Sequence, residues 1–198
     1  LLSAVSRSFY LSMRFLPREM RSGVAVGYLL ARATDTVADA VDMDCRERLA
    51  LLRMMGETVA GAASREVVAT CFGRLGVLST IQTHRGEAEL LARFPECLAL
   101  LENLSPHERM LVRQVLASIV EGQAGDLMDF ESHAAVSCPE QLEHYTYMVA
   151  GCVGEFWTRL GLLAQGPGFS TQPEEQLLRW GRHYGCLLYT SDAADDSL

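Results

Sequence analysis

The sequence contains no lysine: all 17 basic residues are arginine. This excludes a Schiff-base lysine, a P-loop lysine and a lysine general base. Positive charge in a binding site must come from guanidinium groups, whose planar forks match phosphate oxygens. Proline is scarce, with 6 in 198 residues, and 49% of residues are apolar against 21% charged. That balance excludes an intrinsically disordered or collagen-like chain and fits one globular domain with a sizeable core. Net charge is −8, so no basic stripe for nucleic acid is expected and any anionic partner must be bound locally. None of the 6 cysteines forms a CxxC pair, which gives little support to a disulfide framework or zinc site and makes a reducing cytoplasm the expected compartment. No run approaches the roughly 18 consecutive apolar residues of a membrane span, so a membrane would be met only peripherally.

Helical periodicity is what the sequence has in abundance. From Pro17 to about Val41, Met20, Val24, Gly27, Tyr28, Ala31, Val37 and Val41 fall mainly three and four apart, predicting one long helix. Asp44 is placed to cap a second helix to about Ala60. Residues 61–86 are less regular and predict two or three short helices, and Ala88 to Glu102 predicts one more. Ser105-Pro-His-Glu108 is a capping box opening a helix to about Phe130. Ser137-Cys-Pro-Glu140 repeats the signature ahead of a helix through Leu142, Tyr145, Val149, Val153 and Leu160. Pro173 starts a last one. No alternating run marks a strand, so the predicted class is all-α.

The chain opens at Leu1 directly on a motif, so its natural N-terminus is expected to lie upstream. After Gly185 the helical pattern breaks, and residues 186–198, read back as codons, resemble a transposase library adapter. Residues 1–185 are therefore read as a partial domain and 186–198 as a non-native tail, with the last helix cut short near Gly185. The DxxxD spacing of Asp192 and Asp196 is not counted as a motif.

Arg32, Asp35 and Asp39 share one face of the long helix. Two carboxylates at i,i+4 repel on a bare helix, and a cation between them removes that cost. Magnesium commonly takes one or two carboxylates and completes its shell with water and phosphate oxygens. An isolated DxxxD is more often a solvated face. Ser6-Arg7-Ser8-Phe9 gathers two hydroxyls and a guanidinium suited to phosphate oxygens. Gly122, Gln123, Asp126 and Asp129 mark a polar stripe on the helix from Ser105. Around Tyr145-Thr-Tyr147, the small residues Ala150, Gly151 and Gly154 permit close approach of another helix or of a long apolar ligand.

Together and in this order, over residues 6–185, these pieces resemble the squalene and phytoene synthase family of head-to-head prenyl transferases. Ser6-Arg-Ser-Phe9 resembles its opening phosphate motif, Arg32-Ala-Thr-Asp-Thr-Val-Ala-Asp39 its first aspartate-rich motif, and Tyr145-x-Tyr-x-Val-Ala-Gly-x-Val-Gly154 its central signature. The resemblance implies an isoprenoid-synthase-type helical bundle around a central cavity, here truncated at both ends. It implies Asp35 and Asp39 as magnesium ligands, and Ser6, Arg7, Ser8 and Arg32 on diphosphate oxygens. Phe9 and Gln123 join the substrate contacts, Tyr145 has a catalytic role beside Arg32, and Val149, Gly151 and Val153 line an apolar tunnel. An unperturbed phenol is a poor base, so the proton acceptor is expected to include diphosphate itself.

The implied reaction joins two prenyl diphosphates, farnesyl diphosphate favoured, through a cyclopropyl diphosphate to squalene, with NADPH as reductant if squalene is formed. Phytoene or dehydrosqualene synthesis is the alternative, and a non-catalytic helical assembly protein on the same fold is the rival class. A head-to-tail prenyl transferase or terpene cyclase would lack the Tyr-x-Tyr-x-Val-Ala-Gly signature. The family's second aspartate-rich motif is expected beyond Gly185, where the suspected tail stands, so the 198-residue chain itself is expected to be inactive. Oligomeric state is not legible in the sequence.

Overall fold

The computed structural model describes the backbone of residues 1–6, 8–132 and 139–195, and their side chains apart from those of residue 8, 129–132, 139 and 189–195. Arg7 and the Ser137-Cys138 start of the second capping signature lie outside the described residues. Among the described residues there are α-helices, one π turn, one 3-10 turn and no strand.

Helices α1 (Leu2–Ser6) and α2 (Ser8–Phe15) precede the long α3 (Arg18–Ala38), which starts directly after Pro17 and stops where Asp39 turns its N–H to the Asp35 carbonyl, 2.9 Å away. Helix α4 (Cys45–Ala60) begins at the predicted cap, Asp44 Oδ1 accepting the Arg46 N–H at 2.7 Å, and ends at Gly61, whose φ of 76° is the left-handed conformation glycine adopts freely. Helix α8 (Pro106–Ser132) opens on the predicted box: Ser105 Oγ accepts from the Glu108 N–H at 3.3 Å and Glu108 Oε2 accepts from the Ser105 N–H at 3.1 Å.

Four predicted boundaries differ. Residues 65–81 form a single helix, α5 (Arg65–Ile81), in place of two or three short ones. Its Gly73 and Gly76 cost helix propensity without breaking it, because Cys71, Leu75 and Leu78 hold one face in the core. The single helix predicted over 88–102 is two, α6 (Arg85–Ala92) and α7 (Phe94–Glu102), since Pro95 removes a backbone donor and crowds the preceding turn. The helix predicted through Leu142 and Leu160 is divided into α9 (Pro139–Thr146), a π turn (Tyr147–Gly151) and α10 (Cys152–Gln165). Helix α11 (Glu174–Asp195) runs on past Gly185, as no proline or further glycine follows to stop it.

Helix α8 is central, packed by α3 and α4 and by α10 with the π turn, while α11 lies along α10 and α5 to α7 close the molecule against α3 and α4. Leu30 of α3, Leu51, Leu52 and Met55 of α4, Leu116 of α8 and Leu160 of α10 are fully buried in one core. Glycines set the closest approaches. A Cβ at Gly23 would come within 3.1 Å of Leu160, and one at Gly154 would strike the Gly181 carbonyl of α11. The small residues of the central signature thus serve helix-to-helix packing of α10 on α11. Among the described residues no helix is long and apolar enough to cross a membrane.

Candidate active site

Helix α3 ends on its two aspartates. Asp35 lies in the last turn and Asp39 caps the end, at the negative pole of the helix dipole, with no basic residue in that turn. Mutual repulsion and the dipole both oppose two carboxylates there, so the arrangement favours a cation. Burial, helped by the neighbouring Asp39 charge, holds the Asp35 carboxyl up at about 6, against Arg32 and a hydrogen bond from Gln123 that lower it. Asp39 is exposed.

Helix α8 brings the other half. Gln123 Nε2 donates to Asp35 Oδ1 at 2.5 Å, and Asp126 accepts a hydrogen bond from the Tyr145 hydroxyl at 3.3 Å. Asp35, Asp39, Gln123, Asp126, Tyr145 and Val149 line one cavity of about 890 Å³. Arg48, which sequence reasoning missed, lines it too and caps α3 by donating from Nη1 to the Ala38 carbonyl at 2.8 Å. Its only sequence signal was a basic residue in the first turn after the Asp44 cap.

A second cavity, about 280 Å³ and mostly apolar, is lined by Phe9, Tyr28, Val153, Phe156 and Trp157 among others, and shares Asp35, Ile119 and Val149 with the first. Phe9 packs on Tyr28 and Trp157 with ring centroids 4.8 and 6.2 Å apart. Arg32 lines this inner cavity and is engaged by Glu87 of α6 at 2.5 Å, while its Nε is buried with no hydrogen-bond partner.

Phe9, Arg32, Asp35, Asp39, Gln123, Tyr145, Val149 and Val153 are therefore gathered at the two joined cavities. Two predicted contacts are not. Ser6 is buried and its hydroxyl donates back to the Leu2 carbonyl at 2.6 Å, satisfied within its own helix rather than offered to a phosphate. Gly151 faces α11, where a Cβ would lie 2.9 Å from Cys186 Sγ, and does not line the tunnel. The backbone at Ser8 is helical; Arg7 and the Asp129 side chain lie outside the described residues.

Do these residues suit magnesium? Among the described residues no three His, Cys, Asp or Glu side chains cluster tightly enough to hold a metal by themselves. Magnesium needs only one or two carboxylates and hard oxygen donors. The Asp35 and Asp39 carboxylates supply these, and the Gln123 Oε1 beside them is buried without a partner. The donor set fits the ion.

The squalene/phytoene synthase family model matches residues 2–189. The squalene synthase BSS of Botryococcus braunii is 26% identical over 154 residues, covering 78% of this chain and 30% of its own length. The squalene synthase of Schizosaccharomyces pombe is 28% identical over 162 residues, covering 81% of this chain and 33% of its own length. The solved complex of TcSQS with the ligand BPH1237 superposes with a TM-score of 0.68 at 22% identity, covering 96% of this chain and 50% of that one. The chain thus spans about a third of the length of the curated relatives it matches. With the fold, the ordered motifs and the family match in agreement over nearly all its residues, the chain belongs to the squalene/phytoene synthase family.

Proposed function

We propose that the parent protein joins two prenyl diphosphates head-to-head, farnesyl diphosphate favoured, through a cyclopropyl diphosphate to squalene. The observation that carries this reading is the junction of a carboxylate-lined cavity with an apolar one at Asp35, Ile119 and Val149. An allylic diphosphate has the same division, a charged head and a hydrocarbon tail. Magnesium, when bound at Asp35 and Asp39, supplies charge neutralisation for the departing diphosphate. Arg32 offers a fixed guanidinium at the border of the two cavities, its orientation set by Glu87. Phe9, Tyr28 and Trp157 hold the tail and exclude water from the reacting carbons, where aromatic faces also favour developing positive charge. Tyr145, bonded to Asp126, places a hydroxyl at the mouth, where it assists the leaving group or passes a proton.

Squalene formation adds NADPH as hydride donor; none of the residues described is assigned to it. Product analysis tests the reading. The parent protein with farnesyl diphosphate and magnesium is expected to yield squalene when NADPH is present and the cyclopropyl diphosphate when it is absent. A head-to-tail product would refute it, and a product from geranylgeranyl diphosphate alone would select the phytoene branch. Cytoplasmic placement with peripheral membrane contact for release of an apolar product belongs to the same proposal.

A further inference from the structure

Gln123 is only 8% exposed, yet its Oε1 has no hydrogen-bond partner. Its Nε2 is committed to Asp35, so the amide is fixed with its acceptor left over. Among the described residues no protein donor reaches it. Arg48 Nη1 is engaged on the Ala38 carbonyl, Arg32 Nη2 on Glu87 and the Tyr145 hydroxyl on Asp126, and the Nε groups of Arg48 and Arg32, themselves without a partner, do not bond to it. The remaining polar groups lining the cavity, Asp35, Asp39 and Asp126, are acceptors when ionised. A buried acceptor left unpaired beside carboxylates is costly unless something positive completes it. A neutral amide oxygen is a hard donor of the kind magnesium, manganese and calcium accept.

We infer that Gln123 Oε1 is a ligand to a divalent cation held against Asp35 and Asp39, so that the ion ties α8 to α3. The inference rests on the metal reading proposed above and adds a neutral ligand from a second helix. In this arrangement one amide does two things: its N–H orients the Asp35 carboxylate and its oxygen binds the ion the carboxylate binds. The close pairing of α3 and α8 over the core then becomes sensitive to occupancy of the site.

The test is titration of the 198-residue chain with manganese, free ion being followed by its EPR signal, for wild type, Gln123→Leu, Gln123→Glu and Asp35→Asn. Gln123→Leu is expected to weaken binding at least about tenfold, the range typical of lost metal-site partners, and a smaller loss overturns the inference. Gln123→Glu is expected to bind at least as tightly as wild type, because it keeps a ligand oxygen and adds charge. Binding weakened by Gln123→Glu shows that the amide serves only as a donor to Asp35, and overturns it. Gln123→Met, of similar length, replaces the leucine variant if that variant does not melt cooperatively. Failure of the underlying metal reading looks different: wild type then binds no manganese, or Asp35→Asn binds as wild type does, and both proposals fall together.

Discussion

Arg32 of α3 and Glu87 of α6 form an ion pair at 2.5 Å, so the guanidinium that faces the inner cavity already has a carboxylate partner fixing its plane. Its buried, unpartnered Nε is the donor left for a ligand oxygen. A lysine keeps the charge but loses the fork and this second donor. Arg32→Lys is therefore expected to weaken binding of a non-hydrolysable prenyl diphosphate to the parent protein by about tenfold or more, measured by calorimetry. Equal affinity would remove Arg32 from the substrate shell.

Asp35 makes stability depend on pH in a defined direction. Its carboxyl moves from an ordinary 3.8 to about 6 on folding, so between those values the folded chain holds more protons than the unfolded one. Stability from this group is full below about pH 4, falls as pH rises to about 6, and stays low above it. The difference is at most about 3 kcal/mol. In metal-free buffer Asp35→Asn should melt higher than wild type at pH 7.5 and level with it at pH 4. No gap at pH 7.5 would contradict the burial argument.

In the parent protein, Asp35→Asn and Asp39→Asn are each expected to lower divalent-dependent turnover by roughly a hundredfold or more, with unchanged helical circular dichroism. Diphosphate release near the wild-type rate in either variant would refute the metal assignment.

Gly154→Ala should cost about 3 kcal/mol or more, because the added Cβ meets the Gly181 carbonyl and the two helix backbones must part. Gly73→Ala is the control. Nothing lies within 4 Å of its Cβ in the middle of α5, and a gain of about 0.5–1 kcal/mol is expected. Thermal melting of both variants separates packing from propensity.

Ending the chain at Gly185 should change the melting temperature little. Leu187 and Leu188 are 67% and 52% exposed, and Cys186 meets the π turn at Gly151. Neither chain is expected to turn over prenyl diphosphates. Robust turnover by the longer chain that vanishes in the shorter one would make Asp192 and Asp196 a genuine metal motif.

What the sequence revealed were features written in contiguous residues. The Asp44 cap, the Ser105 and Glu108 box and the long run of α3 all depend on spacings of two to four and were legible. The joint cavity was legible through its motifs, which supplied Asp35, Asp39, Tyr145, Val149 and Phe9. Features set by distant partners were not. Glu87 lies 55 residues from Arg32, and nothing near it marks it as that guanidinium's counterion. Ser6 matched a phosphate motif, but a hydroxyl on a short helix can return to the carbonyl four residues back, and this one does. Gly151 carries no side chain to declare which neighbour it serves, and only the position of α11 decides that.

The π turn between α9 and α10 straightens a line that an α-helix would bend. Residues four apart on an α-helix overshoot a full turn by about 40°, so a row at positions 145, 149 and 153 would spiral gradually away from one direction. The wider turn over Tyr147–Gly151 takes up that overshoot at the point where it matters. Tyr145 then looks into the polar mouth, Val149 into both cavities and Val153 into the apolar one, along a single seam. Tyr147, only two residues on, is turned to the other side, where its ring lies under Arg182 with 4.8 Å between guanidinium carbon and ring centre. One widened turn thus gives neighbouring tyrosines separate duties, and removing a single residue from it would shift every side chain upstream by about a quarter turn relative to those downstream.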